Sequence, residues 1–416
     1  MKIFIQIAAY RDPQLIPTIE SLIDKSKHPE NLVFGICHQY HPDDTFDDLT
    51  KYKEDNRFRI IDVLYTDAKG ACWARNQIQS LYDEEEYTFQ LDSHMRFEQD
   101  WDEILINEIK LLQNKGYEKP LITGYVSSFD PDNDPEGRVL EPWRMVFDRY
   151  IPEGAIFFLP EVIPNWKNIH EPIPARFYSA HFCFTLGQFS NEVKHDPNIY
   201  FHGEEISIAA RAYTHGYDLF HTTKVVAWHE YTRKERVKAW DDDKTWYLKN
   251  DKSHLRNRKL FSMDGEKYNP EEFGEYGFGN VRTLEDYEKY AGLKFSIRGV
   301  QQYTLDKKYP PNPYLYNNEE EWLSSFSSIF KHCIDVDFNL LPEDDYEFIV
   351  VAFHNENDDT IYRQDADKTE IKRLFNDPDG YCKIWREFQT PKKPHKWVVW
   401  PYSTSKGWCD RIVGYF

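Results

Sequence analysis

A carboxylate and an imidazole group lie two residues apart at the end of an apolar segment, in the sequence Asp92, Ser93, His94. The preceding residues 87–91 are typical of a buried strand, which would present both side chains at its carboxyl end. Carboxylate and imidazole suit Mn²⁺ or a related divalent cation, which can bridge two phosphates and neutralise the charge on a leaving group. A polar turn is the alternative, and the pair alone does not decide between them.

A second group of candidates lies in residues 201–233. Glu204 and Glu205 begin a helix with an apolar face, at the end where the helix dipole stabilises negative charge. His229 follows the apolar residues 225–228 and could supply a third metal ligand. We expect one glutamate, preferably Glu204, to face the reacting centre and the other to cap the helix. Ordinary first-turn acids and a hydrogen-bonding histidine are the alternatives.

Two further segments could bind an anionic ligand. Gly70 permits a tight turn before a predicted helix, whose first N–H groups and Arg75 could contact a phosphate. Residues 7–12 end the first predicted strand, where an open α/β sheet receives a base or ribose. A simple turn and a solvent-facing arginine are the alternatives. The residues predicted to bind the ligand are Ala8, Tyr10, Arg11, Arg75, Asp92 and Ser93.

The elements that must position these residues alternate between strands and helices. Asp12 is expected to cap a helix with Pro13 at its first position, and Asp100 with Glu103 resembles the capping box of another. This alternation predicts an α/β fold, with helices covering a parallel sheet and ligands near the carboxyl ends of its strands. The pattern predicts a helix at residues 70–81 and strands at residues 3–9, 32–37, 59–64 and 87–92.

The remainder of the chain changes character twice. Residues 129–174 are rich in proline and lack a clear period, which suggests an ordered excursion that carries lids and acceptor contacts. A proline-rich connector near residue 309 precedes strand-like segments, so we predict a main domain at residues 1–300 and a smaller β-rich domain at residues 301–416. Further predicted elements are a helix at residues 204–214 and strands at residues 177–185, 225–228, 346–353 and 397–400.

Composition argues against several classes of function. The chain has 416 residues and a formal net charge of -20, so it would repel a nucleic-acid backbone, and we expect no nucleic-acid partner. The negative charge of substrate phosphates must then be neutralised within the binding site, by a metal or by a few arginines. The six cysteines are scattered, as reduced thiols are, and no segment has the length of a membrane span. We expect a cytoplasmic protein with no membrane partner.

Seven blocks, taken in order, resemble the signature of one enzyme family. The family comprises N-acetylglucosaminyltransferases known for modifying hydroxyproline in a cytosolic ubiquitin-ligase adaptor, and the resemblance covers roughly residues 1–300. The blocks are IAAYRDP, ARN, LDSHMRF, SAHFCFT, FHGEEISIAARAYTHGYDLFH, WHEYTR and YGFGNVRTLEDYEKYAGLKF. The resemblance implies that residues 1–300 form a catalytic domain, and it says nothing about residues 301–416.

The same resemblance implies a glycosyltransferase-A fold and a UDP-sugar donor, with UDP-GlcNAc as the first choice. It also implies metal-dependent transfer to a hydroxyl group with retention at the anomeric carbon. In related polypeptide N-acetylgalactosaminyltransferases, a DxH motif and a later histidine bind Mn²⁺, and Asp92, His94 and His229 stand at the matching positions. In the C-terminal part, aromatic side chains could stack on sugars, hold a protein acceptor or form a core: Trp385, Trp397, Trp400, Tyr402 and Trp408.

Several functions remain open at this point. The first is transfer to a protein hydroxyl on hydroxyproline, serine or threonine. The second is the same chemistry on a glycan or small-molecule acceptor, because acceptor choice depends on loops that the fold does not determine. The third is an inactive sugar-binding protein, against which the intact DxH, GEE and distal histidine argue. A zinc hydrolase is discounted because the sequence contains no HExxH motif.

Overall fold

The computed structural model describes residues 1–151, 153–232, 236–376, 380–390 and 392–416. They form two compact units. The first contains Met1–Ser296 with Tyr303–Tyr314, and the second contains Ile297–Gln302 with Leu315–Phe416. Arg233, the last residue of the WHEYTR block, lies outside the described residues. Within these ranges, no helix combines the length and the apolar character needed to cross a membrane.

Strands and helices alternate in the first unit, whereas strands dominate the second. The strands are β1 Ile3–Tyr10, β2 Leu32–Tyr40, β3 Phe58–Leu64, β4 Tyr87–Asp92, β5 Met95–Phe97, β6 Lys119–Thr123, β7 Ser127–Ser128, β8 Trp143–Tyr150, β9 Ile156–Val162, β10 Ile173–Pro174, β11 Phe182–Leu186, β12 Tyr217–His221, β13 Ala227–His229, β14 Leu293–Lys294, β15 Gly299–Gln301, β16 Phe326–Asp337, β17 Tyr346–His354, β18 Thr360–Arg363, β19 Tyr381–Thr390, β20 Lys396–Ser403, β21 Gly407–Trp408 and β22 Ile412–Tyr415. The helices are α1 Leu15–Lys25, α2 Ala71–Gln79, α3 Trp101–Asn114, α4 Phe189–Glu192, α5 Glu204–Thr214, α6 Ala239–Asp242, α7 Trp246–Leu260, α8 Pro270–Phe273, α9 Leu284–Ala291, α10 Gln302–Leu305, α11 Glu319–Ser324 and α12 Lys368–Leu374.

An eight-stranded sheet forms the centre of the first unit, in the order β10-β12-β6-β11-β4-β1-β2-β3. Neighbours among β1, β2, β3 and β4 are parallel, and so are β6 and β12. β11 runs antiparallel to β4 and β6, because the chain leaves β6 at its carboxyl end and returns at the same edge without a crossover helix. The predicted α/β class is confirmed, but the sheet is mixed and not parallel throughout.

The sheet is apolar on both faces, because alternate residues of its strands pack against different helices. Ile5 and Ile7 of β1 belong to the core cluster that includes residues of α1 and α3. Phe4 points the other way and packs with Ile78 of α2. Burial on both sides fixes β1 and β4, and it thereby fixes the residues at their carboxyl ends.

Two helix starts differ from the predicted ones. α1 begins at Leu15 with Gln14 as its N-cap, and Oδ1 of Asp12 accepts the N–H of Gln14 at 2.9 Å in the turn before the helix. Asp100 adopts a left-handed backbone with a φ of 60°, and its side chain makes no capping hydrogen bond. Glu103 binds Lys27 instead of closing a capping box. The capping-box prediction for Asp100 is therefore wrong, because Lys27 binds the Glu103 carboxylate, whereas the hydrogen bond expected from Asp12 ahead of α1 is present.

The excursion at residues 129–174 is more regular than its composition suggested. It contains an antiparallel hairpin of β8 and β9, in which Val146 pairs with Leu159. The strand expected at residues 177–185 is shortened to β11, and the strand expected at residues 225–228 becomes β13. The helix predicted at residues 204–214 matches α5.

The second unit is β-rich, as expected. A long pair of strands, β16 and β19, lies beside a sheet of β17, β18, β20, β21 and β22. Ile334, Val351 and Ile384 belong to the core cluster of this unit, which α12 also joins through Ile371. This unit therefore has a hydrophobic core of its own.

Candidate active site

A cavity of about 510 Å³ opens at the carboxyl edge of the large sheet. Its walls come from the ends of β1 and β4, the starts of α2 and α5, the strand β9 and residues 236–240. Arg11 is not among the lining residues, since Asp44 and Asp242 hold its guanidinium group beside the cavity. The other predicted site residues converge on this one cavity: Ala8, Tyr10, Arg75, Asp92, Ser93, His94, Glu204, Glu205 and His229.

Asp92, His94 and His229 form a cluster whose ligand atoms lie within 4.8 Å of one another. Oδ2 of Asp92 is 3.4 Å from Nε2 of His94 and 3.3 Å from Nε2 of His229. Two ligand atoms at a right angle around a small divalent cation are ~3.0 Å apart, because each bond is ~2.1 Å long. Both Asp92–histidine distances are close to this value, so these side chains fit the metal that the sequence suggested.

His229 reaches this cluster through strand pairing. β13 runs antiparallel to β5, and His229 lies opposite Met95. In addition, the N–H of Glu230 donates to the carbonyl oxygen of His94 at 3.1 Å. Because β5 begins directly after His94, this register brings the two imidazole rings to a centroid distance of 4.7 Å. The third candidate ligand is thus placed by tertiary structure and not by a local motif.

Asp12 orients His94 by contacting Nδ1, the ring nitrogen farther from Asp92. Its Oδ2 lies 2.8 Å from Nδ1 of His94 and accepts the Ser93 hydroxyl at 2.6 Å, while Arg236 donates to it at 3.1 Å. Burial raises the pKa of Asp12, but His94 and Arg236 outweigh burial and bring it to about 2. Arg236 also contacts Nδ1 of His94, so the ring offers Nε2 to a metal only in the tautomer whose Nδ1 proton is donated to Asp12. Carboxylate partners of this kind hold metal-binding histidines in place.

The charge states of Asp92 and His229 favour a cation. Burial lowers the pKa of His229 to about 4, so near neutral pH its ring is uncharged and keeps a lone pair. Burial raises the pKa of Asp92, but His229, His94 and Arg75 hold it well below its usual range. A divalent cation binds ionised carboxylates and neutral imidazoles. Burial lowers the pKa of His94, but Asp12 and Asp92 raise it above its usual value, so a cation must compete with a proton at this ring. Asp92 and His229 are thus in the charge state that suits a metal, and His94 becomes a ligand when it loses its proton.

Arg75 lies between two carboxylates in the cavity wall and is only 5% exposed. Its guanidinium group donates to Oδ1 of Asp92 at 2.7 Å and to Oε1 of Glu204. The N–H of Ala71, at the start of α2, donates to the carbonyl oxygen of Tyr200 at 3.0 Å. In place of the open anion site expected at this helix start, the structure has internal pairs. Arg75 holds the Asp92 oxygen that faces away from the histidines.

Arg75→Ala should lower the free energy of unfolding by about 3 kcal/mol, because it leaves the buried Glu204 and the half-buried Asp92 without their shared cation. Urea denaturation followed by tryptophan fluorescence measures this change. The control is Arg363→Ala, which removes an exposed ion pair with Asp365 and should cost less than about 1 kcal/mol. Unchanged stability with weakened UDP binding would restore a direct phosphate contact as the role of Arg75.

Glu204 is committed to internal pairing. It accepts from Arg75, and its Oε1 lies 3.2 Å from Nδ1 of His195. Burial raises the pKa of Glu204, but Arg75 and His195 bring it below its usual value. Cys72, His195 and Glu204 form a second group of potential metal ligands. The guanidinium group of Arg75 is already bound to Glu204, and its positive charge disfavours a cation at this place. Gly203 is the N-cap of α5, and no side chain caps that helix, so the expected capping role is not observed.

Glu205 has uncharged partners instead. Its Oε2 accepts the hydroxyl of Tyr125 at 2.8 Å, and its Oε1 accepts the backbone N–H of Ala180 at 3.1 Å. Burial raises the pKa of Glu205 from 4.5 to about 7, because these two hydrogen bonds only partly offset the loss of water. Of the two glutamates, Glu205 is therefore the one free to gain or lose a proton near neutral pH.

The stability of the protein should fall relative to Glu205→Gln as pH rises from about 4.5 to about 7. In this window an unfolded chain has already released the Glu205 proton, while the folded chain retains it. The folded state therefore binds more protons, and raising the pH favours unfolding. Unfolding curves for both proteins at several pH values measure the difference. A difference independent of pH would contradict the raised pKa.

Several residues that the motif analysis did not select also line the cavity. His181 stacks on His229 with ring centroids 4.2 Å apart, and Tyr231 contacts the His181 ring at 3.2 Å. Trp240 packs edge-on against Phe201 on another wall. His181 lies within the SAHFCFT block, which was a usable signal. Trp240 follows no pattern in the sequence, because it enters the cavity from α6.

The model of the glycosyltransferase (GlcNAc) family matches residues 2–54 and 45–297 of this chain. The chain therefore belongs to this family and is a glycosyltransferase. The match covers the cavity and the cluster of Asp92, His94 and His229. The α/β architecture with a mixed sheet and additional C-terminal sheets agrees with the glycosyltransferase-A fold that the sequence resemblance implied.

Two solved structures show weaker similarity. The first is GalNAc-T7 with UDP, GalNAc and Mn²⁺, at 14% identity and a TM-score of 0.49, with 69% of this chain and 54% of that chain covered. The second is Staphylococcus aureus TarS 1–349 in complex with UDP-GlcNAc, at 12% identity and a TM-score of 0.37, with 58% and 61% covered. The chain thus spans less than two thirds of either structure. A comparison with curated proteins finds no match.

Proposed function

We propose that this protein transfers GlcNAc from UDP-GlcNAc to a hydroxyl group of a protein, with a divalent cation such as Mn²⁺ bound by Asp92, His94 and His229. The observation that supports this most is the convergence of the three side chains in the cavity of a family glycosyltransferase. When bound, the cation would neutralise the charge that develops on the departing diphosphate.

The residues at the ends of β1 and β4 bind the donor in this proposal. Ala8, Tyr10 and Ser93 line the wall where an open α/β sheet receives a nucleotide. The hydroxyl of Tyr10 donates to Asp242 at 2.7 Å, and Arg11 pairs with the same carboxylate at 3.0 Å. Arg11 thus supports the donor wall from outside the cavity, as a positioning residue.

The transfer step itself uses few protein groups. The acceptor oxygen forms a bond to the anomeric carbon, and the bond from that carbon to the diphosphate oxygen breaks. UDP leaves with the bonding electron pair, and the hydroxyl proton passes to the departing phosphate. We propose retention at the anomeric carbon on the strength of the family resemblance. Glu205 would orient a hydroxyl of the acceptor or of the donor sugar, since each of its oxygens can accept a further hydrogen bond.

Two acceptor classes fit the cavity. Hydroxyproline, serine or threonine on a protein follows from the sequence resemblance and is the main proposal. A glycan or small-molecule acceptor is the second candidate, because Phe157, Phe201 and Trp240 line the cavity with aromatic rings on which a sugar can stack. An inactive sugar-binding protein would have no need for the three-residue cluster.

We further propose a catalytic domain at residues 1–300 and an accessory domain at residues 301–416. Trp385 and Trp408 are exposed, so these two side chains are available for binding. The ring of Trp400 packs on that of Trp408, with ring centroids 4.1 Å apart. A cytoplasmic location is proposed because all six cysteines are free thiols in the structure.

A donor-hydrolysis screen tests the proposed function. The protein would be incubated with UDP-GlcNAc, UDP-GalNAc, UDP-Glc and UDP-Gal, with and without Mn²⁺, and the released UDP measured. We expect turnover to be highest with UDP-GlcNAc and to require the metal. Equal turnover after chelation would remove the metal from the proposal. Turnover of another donor would correct the sugar, and absence of all turnover would favour the inactive sugar-binding protein.

A further inference from the structure

A second concave site of about 430 Å³ lies in the first unit, and it is basic although the chain as a whole is acidic. We call it the basic pocket. Its positively charged lining residues are Lys69, Lys249, Lys252, Arg256 and Lys259, and Glu272 is its acidic member. Apart from Lys69, these cations project from a single helix, α7.

Two of the five cations have no carboxylate partner in the part of the chain that the structure describes. Lys249, Arg256 and Lys259 pair with Asp243, Asp196 and Glu272 respectively. No described carboxylate forms an ion pair with Lys69 or Lys252, and both side chains are exposed; Lys69 only approaches the ring of Trp73. The pocket therefore presents a local excess of positive charge on a protein with a formal charge of -20.

Apolar side chains accompany this charge. Leu255 lines the basic pocket and is exposed, and Leu248 lies one helical repeat earlier on the same face of α7 with 50% of its surface exposed. Lys252 and Lys259 fall on that face as well, so basic and apolar groups alternate along it. Such a surface suits a polypeptide with acidic and apolar residues better than a nucleic-acid backbone, which the net charge would repel.

The basic pocket adjoins the active-site cavity. Tyr200 lines both of them, and Lys69 directly precedes Gly70, which lines the cavity. Gly70 and Tyr200 are in close contact, because a Cβ added at Gly70 would lie 2.6 Å from the carbonyl oxygen of Tyr200. Tyr200 is in turn joined to α7, where Ser253 Oγ accepts its N–H at 3.0 Å. A chain bound in the pocket would thus lie next to the reacting centre.

We propose that the basic pocket binds an acidic segment of the polypeptide acceptor, close to the hydroxyl that receives the sugar. This inference rests on the proposed function, in that the acceptor is a protein. Lys69 and Lys252 supply the unpaired charges, and Leu255 receives an apolar side chain between acidic ones. The pocket would select acceptors by charge without contacting the donor.

Binding of a fluorescein-labelled peptide of alternating glutamate and leucine, measured by anisotropy without donor or metal, tests the inference. A matched peptide with glutamine in place of glutamate is the first control. We expect the acidic peptide to bind on the order of tenfold more tightly, and to lose this advantage at high salt. The double variant Lys69→Glu, Lys252→Glu should lose a similar factor, because it reverses the two unpaired charges.

Lys110→Glu is the matched control variant, since Lys110 is exposed on α3, outside the pocket. It should bind the acidic peptide like the parent, and the double variant should hydrolyse UDP-GlcNAc at the parent rate. Equal affinity for both peptides, or full affinity in the double variant, would overturn the inference. So would equally tight binding of a single-stranded oligonucleotide. Because the anisotropy assay contains no donor, missing UDP-GlcNAc hydrolysis in the parent would overturn the proposed function separately.

Discussion

His229→Ala should abolish metal-dependent turnover of UDP-GlcNAc while the fold stays intact. The substitution removes one of the three side chains whose ligand atoms converge on a single point. The loss should exceed the roughly 10–100-fold effects typical of residues that merely support metal ligands. Release of UDP with and without Mn²⁺ measures activity, and circular dichroism monitors folding.

His170→Ala is the control, because His170 is exposed and lies outside the cavity. It should keep parent activity. His229→Phe, which keeps an aromatic ring against His181 but has no ligand atom, separates loss of a ligand from loss of packing. Full activity in both His229 variants would remove this residue from the metal site and leave Asp92 and His94 as an isolated pair.

Glu205→Gln should reduce sugar transfer by about a hundredfold or more and leave UDP binding nearly unchanged. The amide keeps the shape of the side chain, but one of its two acceptor atoms becomes a donor. The amide can still accept the N–H of Ala180 and donate to the oxygen of Tyr125, but it carries no negative charge and offers a substrate hydroxyl one acceptor atom fewer. Effects of this size are typical when a positioned group acts in the transition state.

Transfer to a hydroxyl-bearing acceptor and isothermal titration with UDP and Mn²⁺ separate these effects. Glu118→Gln is the control, since Glu118 is exposed and away from the cavity. Glu204→Gln should act differently and chiefly destabilise the protein, because Glu204 is bound to Arg75. Parent transfer rates in both Glu204→Gln and Glu205→Gln would mean that the pair is structural.

Local sequence patterns were sufficient for elements with a clear apolar run or a clear apolar helical face. β4 matches the apolar run predicted at residues 87–92, α5 matches the apolar-faced helix predicted at residues 204–214, and both present site residues at their ends. Asp92, His94 and His229 could be selected from residue type and spacing, helped by the order of the family blocks. Their mutual distances could not, because His229 is placed by the register of β13 on β5.

Patterns failed where a distant partner competes with a local one. Asp12 has the context of a helix cap and accepts the N–H of Gln14 through Oδ1, but its Oδ2 binds the Ser93 hydroxyl and the His94 ring, which no local pattern predicts. Arg75 follows a glycine turn, as phosphate-binding arginines do, but Glu204 neutralises it from a position remote in sequence. Neither contact leaves a periodic signal, and only the folded chain reveals them.

The β8–β9 hairpin has a consequence for how such an enzyme can change during evolution. Its two strands pair with each other and not with the central sheet, yet β9 contributes Ile156, Phe157, Phe158 and Pro160 to the cavity wall. Substitutions there can reshape one side of the cavity while the strands that carry Asp92 and His229 stay as they are. Sequence differences among relatives with different acceptors should therefore concentrate in the β8–β9 hairpin. The residues that bind and activate the donor can then be retained while the acceptor changes.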